Sequence, residues 1–256
     1  MDSFTVPARF CGPPDSGNGG YTCGLLAREL GGVVECTLRA PVPLEVPLDL
    51  ERTASGGVLR YGEKTIVEGS PATIDVTPPA PISMQAATEA MAASPAFAVS
   101  SDGAPRHPFP TCFVCGPKRR VHDGLRIFPA AFLSKTAGAS SQAQGSSAHG
   151  AAHDLFVAAW VPDHEFGDDD QLLRPEFLWA AMDCPTGFAA GFPTAGKLVT
   201  GRLAVQQLKS IRTGAGCVLM SWPLGIEGRK HFSAACLYQD EELCAVARAT
   251  WIRIEG

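Results

Sequence analysis

Residues 174–192, RPEFLWAAMDCPTGFAAGF, are too apolar to face water, and four strand-like runs follow them in close order. Pro175 suits the first turn of a helix, where its missing N–H costs nothing, and Glu176 suits the positive end of the dipole. Phe177, Leu178, Ala181 and Met182 then make an apolar helical face. Pro185 is expected to end or kink the helix. The runs Lys197–Ile211, Gly216–Leu224, His231–Gln239 and Leu243–Ile254 read as antiparallel strands separated by Gly-containing or acidic turns. A helix with an apolar face and a meander with one face to cover have a stable joint solution, a sheet laid around the helix. Asp183 falls inside this apolar stretch, between Met182 and Cys184, where a carboxylate is either costly or useful. The bland alternative is that it caps the segment.

The first part of the chain repeats this order. A short strand, Phe4–Phe10, leads into the turn-rich CGPPDSGNGG and a helix over Tyr21–Leu30, stopped by Gly31 and Gly32. Strands over VVECTLRA, the Pro-punctuated PVPLEVPLDLERTA, GGVLRYG and KTIVEGSPATIDV follow, then an Ala-rich helix at Met84–Ala93. In the second part GLRIFPAAF and Phe156–Val161 read as strands, and DHEFGDDD reads as an acidic loop facing water. The expected class is α+β in two tandem units, residues 1–105 and 106–256, with a flexible Ser/Ala/Gly/Gln-rich loop at about 133–152. Side by side, two such units hide edge strands in one joint sheet.

Composition narrows the function. At 256 residues, 45% hydrophobic and 18% charged, the chain has material for a proper core. A net charge of −5 gives no case for binding nucleic acid or an anionic membrane. No apolar run reaches the roughly 18 residues of a membrane span, and the N-terminus lacks the pattern of a secretory signal, so a cytoplasmic location is expected. The nine cysteines are scattered among apolar neighbours, where free thiols pack as small hydrophobes. Cys112 and Cys115 alone have metal or redox spacing, with His107 and His122 near in sequence, but the four-ligand pattern of a zinc site is incomplete, and no metal or cofactor is expected. Neither a Gly-x-Ser-x-Gly elbow nor a dinucleotide glycine fingerprint is present.

The order of elements and several local motifs resemble the hotdog fold, specifically the double-hotdog acyl-CoA thioesterase-like proteins. Cys112-Phe113-Val114-Cys115-Gly116, continuing to Gly124-Leu125-Arg126-Ile127, is similar to the opening of phenylacetyl-CoA-thioesterase-like hotdogs, whose cysteines are mostly packing residues. Gly228-Arg229-Lys230 followed by HFSAACLYQDEELCAVARATWIRI resembles their last two strands, and Leu198–Ile211 resembles the strand after the helix. The likeness covers most of 107–256 and, more weakly, 1–80. In that family the helix often begins His-Gly-Gly and carries a catalytic Asp or Glu about two turns later, the two elements of one site coming from different units. Here the first unit has Asn18-Gly19-Gly20 but Leu26 and Ala27 at the carboxylate position. The second unit has Pro175-Glu176-Phe177 but Asp183 at that position. The resemblance therefore implies one composite site per chain.

Thioester hydrolysis needs a polarised carbonyl and an activated water or a direct nucleophile. Backbone N–H groups at Gly19 and Gly20, at the positive end of a helix, would supply the first, and Asn18 can hydrogen-bond but cannot titrate. Asp183 would be base or nucleophile, with Thr200 or Gln206 positioning the water. Tyr21, Arg229 and Lys230 are the expected substrate contacts, the cations serving coenzyme A phosphates, with Arg202 and Lys209 behind them. Coenzyme A enters only as part of the substrate, and the partners implied are an acyl-CoA or acyl-carrier thioester and, through sheet edges, a second copy of the chain. A hotdog hydratase or dehydratase is a second reading, although no Asp-x-Asn-x-x-His is present. A non-catalytic acyl- or lipid-binding hotdog is a third. Fold alone does not choose among them.

Overall fold

The computed structural model describes residues 2–132, 155–194 and 196–254; the Ser/Ala/Gly-rich tract at 133–152 lies outside them. The first unit runs β1 (Ser3–Thr5), α1 (Gly19–Leu30), β2 (Val34–Leu38), β3 (Pro47–Thr53), β4 (Gly56–Tyr61) and β5 (Lys64–Pro71). A short helix, α2 (Met84–Met91), precedes the second unit: β6 (Ala130–Ala131), β7 (Phe156–Trp160), α3 (Pro175–Ala189), β8 (Leu198–Gln207), β9 (Cys217–Glu227), β10 (Lys230–Gln239) and β11 (Glu242–Arg253).

All strands join one antiparallel sheet in the order β1-β3-β4-β5-β2-β8-β11-β10-β9-β7-β6. The order is symmetric about its β2–β8 junction, where Val34, Glu35, Cys36 and Thr37 pair with Val205, Ala204, Leu203 and Arg202. Each strand that follows a central helix thus becomes the seam between units. Strands β7 to β11 all contact α3, whereas α1 contacts β2, β4, β5 and β8, and the two helices pack on each other. Alternation sorts the side chains of β11: Ala245, Ala247, Ala249 and Trp251 face the helices, whereas Val246 faces the other side. That outer face is covered by Met84, Ala87 and Met91 of α2, which rest against Val157, Val218 and Met220 of the second unit.

The start of α1 is fixed by Asn18, whose side chain accepts from the Tyr21 N–H at 2.9 Å, and Gly31 ends it with φ 68°. Of the two effects expected of Pro185, it does not end the helix: α3 runs on through it to Ala189. A proline inside a helix costs about 3 kcal/mol or more. Phe177, Leu178, Met182 and Phe188 are each at most 2% exposed. Each stabilises by roughly 1.5–3 kcal/mol on burial, so together they outweigh the missing bond. Several expected strands are shorter than read: β3 begins only at Pro47, and β5 ends at Pro71. Phe4–Phe10 keeps only β1 and then coils into a single 3-10 turn at Ala8–Phe10. GLRIFPAAF is extended strand only at Ala130–Ala131, because Leu125 and Ile127 donate to the carbonyls of Phe113 and Val114, and Arg126 sits at φ 56°.

Candidate active site

The N-terminus of α1 meets the middle of α3 at a glycine. A Cβ on Gly20 would lie 2.5 Å from Asp183 Cβ and 2.6 Å from the Trp179 carbonyl oxygen, and one on Gly24 would lie 2.6 Å from the Glu176 Cα. Glycines one turn apart let the two helices approach closely enough for a backbone amide to reach a carboxylate. Asp183 Oδ2 accepts from the Gly20 N–H at 3.0 Å and from Asn18 Nδ2 at 3.2 Å, and Oδ1 accepts from Thr200 Oγ1 at 2.8 Å. Asp183 is 2% exposed. Burial pushes its carboxyl up to about 7, against the hydrogen bonds from Thr200, Gly20 and Asn18, which favour the ionised form.

Thr200 reaches this point because β8 carries a bulge. Arg202 pairs with Thr250 and Thr200 with Trp251, leaving Gly201 unpaired. The extra residue lets Thr200 and Leu203, an odd number of positions apart, face the same side. A Cβ on Gly201 would lie 2.7 Å from Ile252 Cγ1.

A cavity of about 700 Å3 opens onto the carboxylate, lined by Asn18, Gly19, Asp183 and Thr200 and walled by apolar groups such as Phe109 and Trp251. The Gly20 amide is spent on Asp183, so it is not the free donor the sequence suggested. The Gly19 N–H has no hydrogen-bond partner among the described residues. Trp251 Nε1 donates to Thr186 Oγ1 at 2.9 Å, and that hydroxyl donates to the Asp183 carbonyl at 2.6 Å, which fixes the wall to α3.

Other expected site residues lie elsewhere. Tyr21 is not a cavity residue: its ring stacks on Phe10 at 4.3 Å and sits near Phe177 and Phe113 in the core between the units. Burial and the neighbouring Glu176 push its hydroxyl up to about 12. Arg229 and Lys230 are exposed at the β9–β10 turn, where Gly228 takes φ 57°, and they do not line the cavity. Arg202 pairs with Glu35 and Lys209 with Glu242. Gln206 pairs across the sheet with Val246, on the face away from α3. The cations on the cavity rim are Arg39, held by Glu68, and Lys197, which has no carboxylate partner among the described residues. Neither stands out in sequence, since each is a lone cation beside a strand.

The pseudo-equivalent place is built differently. Arg174 takes the position before α3 that Asn18 takes before α1, and the buried Glu176 pairs with Arg28 at 3.1 Å. Cys112 and Cys115 line the cavity, joined there by Cys184 from α3. His107 and His122 stay out of this group: His107 Nδ1 accepts from the Phe109 N–H, and His122 pairs with Asp163.

No protein-family profile matches the sequence, and no curated protein does. Among solved structures, the TesB protein of Mycobacterium avium subspecies paratuberculosis matches 98% of this chain and 91% of its own, with TM-score 0.57 and 12% identity. The phenylacetic acid degradation-related protein of Ralstonia eutropha matches 39% of this chain and 76% of its own, with TM-score 0.36 and 19% identity. A Streptococcus mutans protein solved with acetyl CoA matches 39% of this chain and 80% of its own, with TM-score 0.36 and 12% identity. The near-complete match spans both units and the seam between them, and at 12% identity it is a likeness of fold. The chain has a double-hotdog fold.

Proposed function

We propose that the protein is an acyl-thioester hydrolase with one composite site per chain. The observation that carries this reading is Asp183 of α3 held by Gly20 and Asn18 of α1 and Thr200 of β8 at the wall of one cavity. In the reaction, water bound beside Asp183 gives its proton to the carboxylate while its oxygen attacks the thioester carbon. The Gly19 N–H and the Asn18 amide group are the donors nearest to hand for the developing oxyanion. Collapse breaks the C–S bond, and the thiolate leaves with the proton that Asp183 carries. A carboxyl whose burial holds it near neutrality can both take and return a proton at ordinary pH. The substrate is an acyl-CoA or an acyl-carrier thioester: the apolar wall suits an acyl chain, and Lys197 and Arg39 on the rim suit phosphate.

The test is release of free thiol from a panel of acyl-CoAs by wild type and Asp183→Asn. General-base loss is worth about 100-fold or more, so kcat falls by at least that factor while KM changes little. Unchanged turnover in Asp183→Asn removes the residue from its role. Saturable acyl-CoA binding without any thiol release in wild type favours a non-catalytic acyl-binding protein.

A further inference from the structure

Three cysteine sulfurs converge in the wall of this cavity. The Sγ atoms of Cys112, Cys115 and Cys184 all lie within 4.8 Å of one another, and those of Cys112 and Cys184 are 3.8 Å apart. A zinc–thiolate bond of about 2.3 Å in tetrahedral geometry sets sulfurs about 3.8 Å apart, which is the Cys112–Cys184 separation, and Cys115 Sγ lies within 4.8 Å of both. The remaining six cysteines gather in no such group of three among the described residues.

The turn that presents two of the sulfurs is held rigidly before any ion arrives. Phe113 donates to the Cys11 carbonyl at 2.8 Å and Gly116 to that of Cys112 at 2.9 Å, while Leu125 and Ile127 donate to Phe113 and Val114. Gly116 must be glycine, since a Cβ there would lie 2.5 Å from the Cys112 carbonyl oxygen. The third sulfur comes from the buried middle of α3, itself fixed by the core. All three sulfur-bearing residues line the cavity, which gives an ion its path of entry.

We propose that Cys112, Cys115 and Cys184 form a binding site for one zinc-class, thiophilic divalent cation. Binding releases three thiol protons to solvent and forms three metal–sulfur bonds, with water from the cavity taking the fourth position. The proposal does not depend on Asp183 acting in hydrolysis.

Titration of the reduced, metal-free full chain with Co2+ under anaerobic conditions tests it. The expected result is a sulfur-to-cobalt charge-transfer band that saturates at one equivalent, is displaced by Zn2+, and is accompanied by a rise in Tm. X-ray absorption of the zinc form should show three sulfurs at about 2.3 Å. Cys184→Ser, shown by circular dichroism to keep its fold, should weaken Co2+ binding by at least the 10- to 100-fold typical of lost supporting contacts. Should Cys184→Ser not fold, the wild-type stoichiometry and sulfur count decide alone. The band should persist in Asp183→Asn, which separates this result from failure of the hydrolase reading. A reduced, folded wild type that shows no band overturns the proposal, as does a band that survives in folded Cys112→Ser/Cys184→Ser. Mapping of a Cys112–Cys184 disulfide in protein that binds no Co2+ when reduced also overturns it and makes the pair a redox couple.

Discussion

Among the described residues Asp183 receives three hydrogen bonds and pairs with no cation, so its environment is set by neutral donors. The most sensitive neighbour is Gly20, because any side chain there collides with the Asp183 Cβ and the Trp179 carbonyl. Gly20→Ala should cost about 1–3 kcal/mol by the rule for overpacked interiors, read as a lowered urea midpoint, and should reduce turnover by displacing the carboxylate. Thr200→Val keeps the shape and removes one donor to Oδ1. Its turnover should fall roughly tenfold, the worth of about 1.4 kcal/mol in transition-state free energy, whereas Thr200→Ser should retain most of it. The residues that meet at the cavity are legible one by one: Asp183 as a carboxylate in an apolar run, and Asn18-Gly19-Gly20 as a helix start with unpaired amides. Their partners are not. Tyr21 follows the turn directly but rotates into an aromatic cluster, and Cys184 lies 72 positions from Cys112, beyond any spacing rule.

At the scale of elements, alternation and turn residues predicted the strands after α3 closely, and Gly31 and Gly32 marked the end of α1. The reading failed where tertiary contacts overrode local rules. Pro185 stays inside α3 because the surrounding aromatic and aliphatic burial outweighs one lost bond. The bulge at Gly201 breaks the two-residue period, so sequence alone cannot say that Thr200 and Leu203 share a face. That bulge predicts the behaviour of Gly201→Val: contact with Ile252 should distort the strand, lowering stability by about 1–3 kcal/mol in chemical denaturation and turnover with it. Gly214, in the loop before β9, lies away from the cavity and offers a control for nonspecific loss of stability.

For the whole molecule, the β2–β8 seam makes one sheet out of two units, and α1 packs on α3 across it. Calorimetry should therefore give a single cooperative transition, and two resolved transitions would show that the units melt independently. Residues 2–105 and 106–256 expressed separately should each lack hydrolysis, because the amide turn and the carboxylate belong to different pieces, and activity should return only on mixing where the seam re-forms. At the start of α3, the pseudo-equivalent place, Glu176 pairs with Arg28 of α1 and with Arg174, so its carboxylate is already engaged by two cations. A carboxylate-directed alkylating thioester analogue should accordingly modify a single residue per polypeptide, with mass spectrometry showing one adduct however large the excess of reagent.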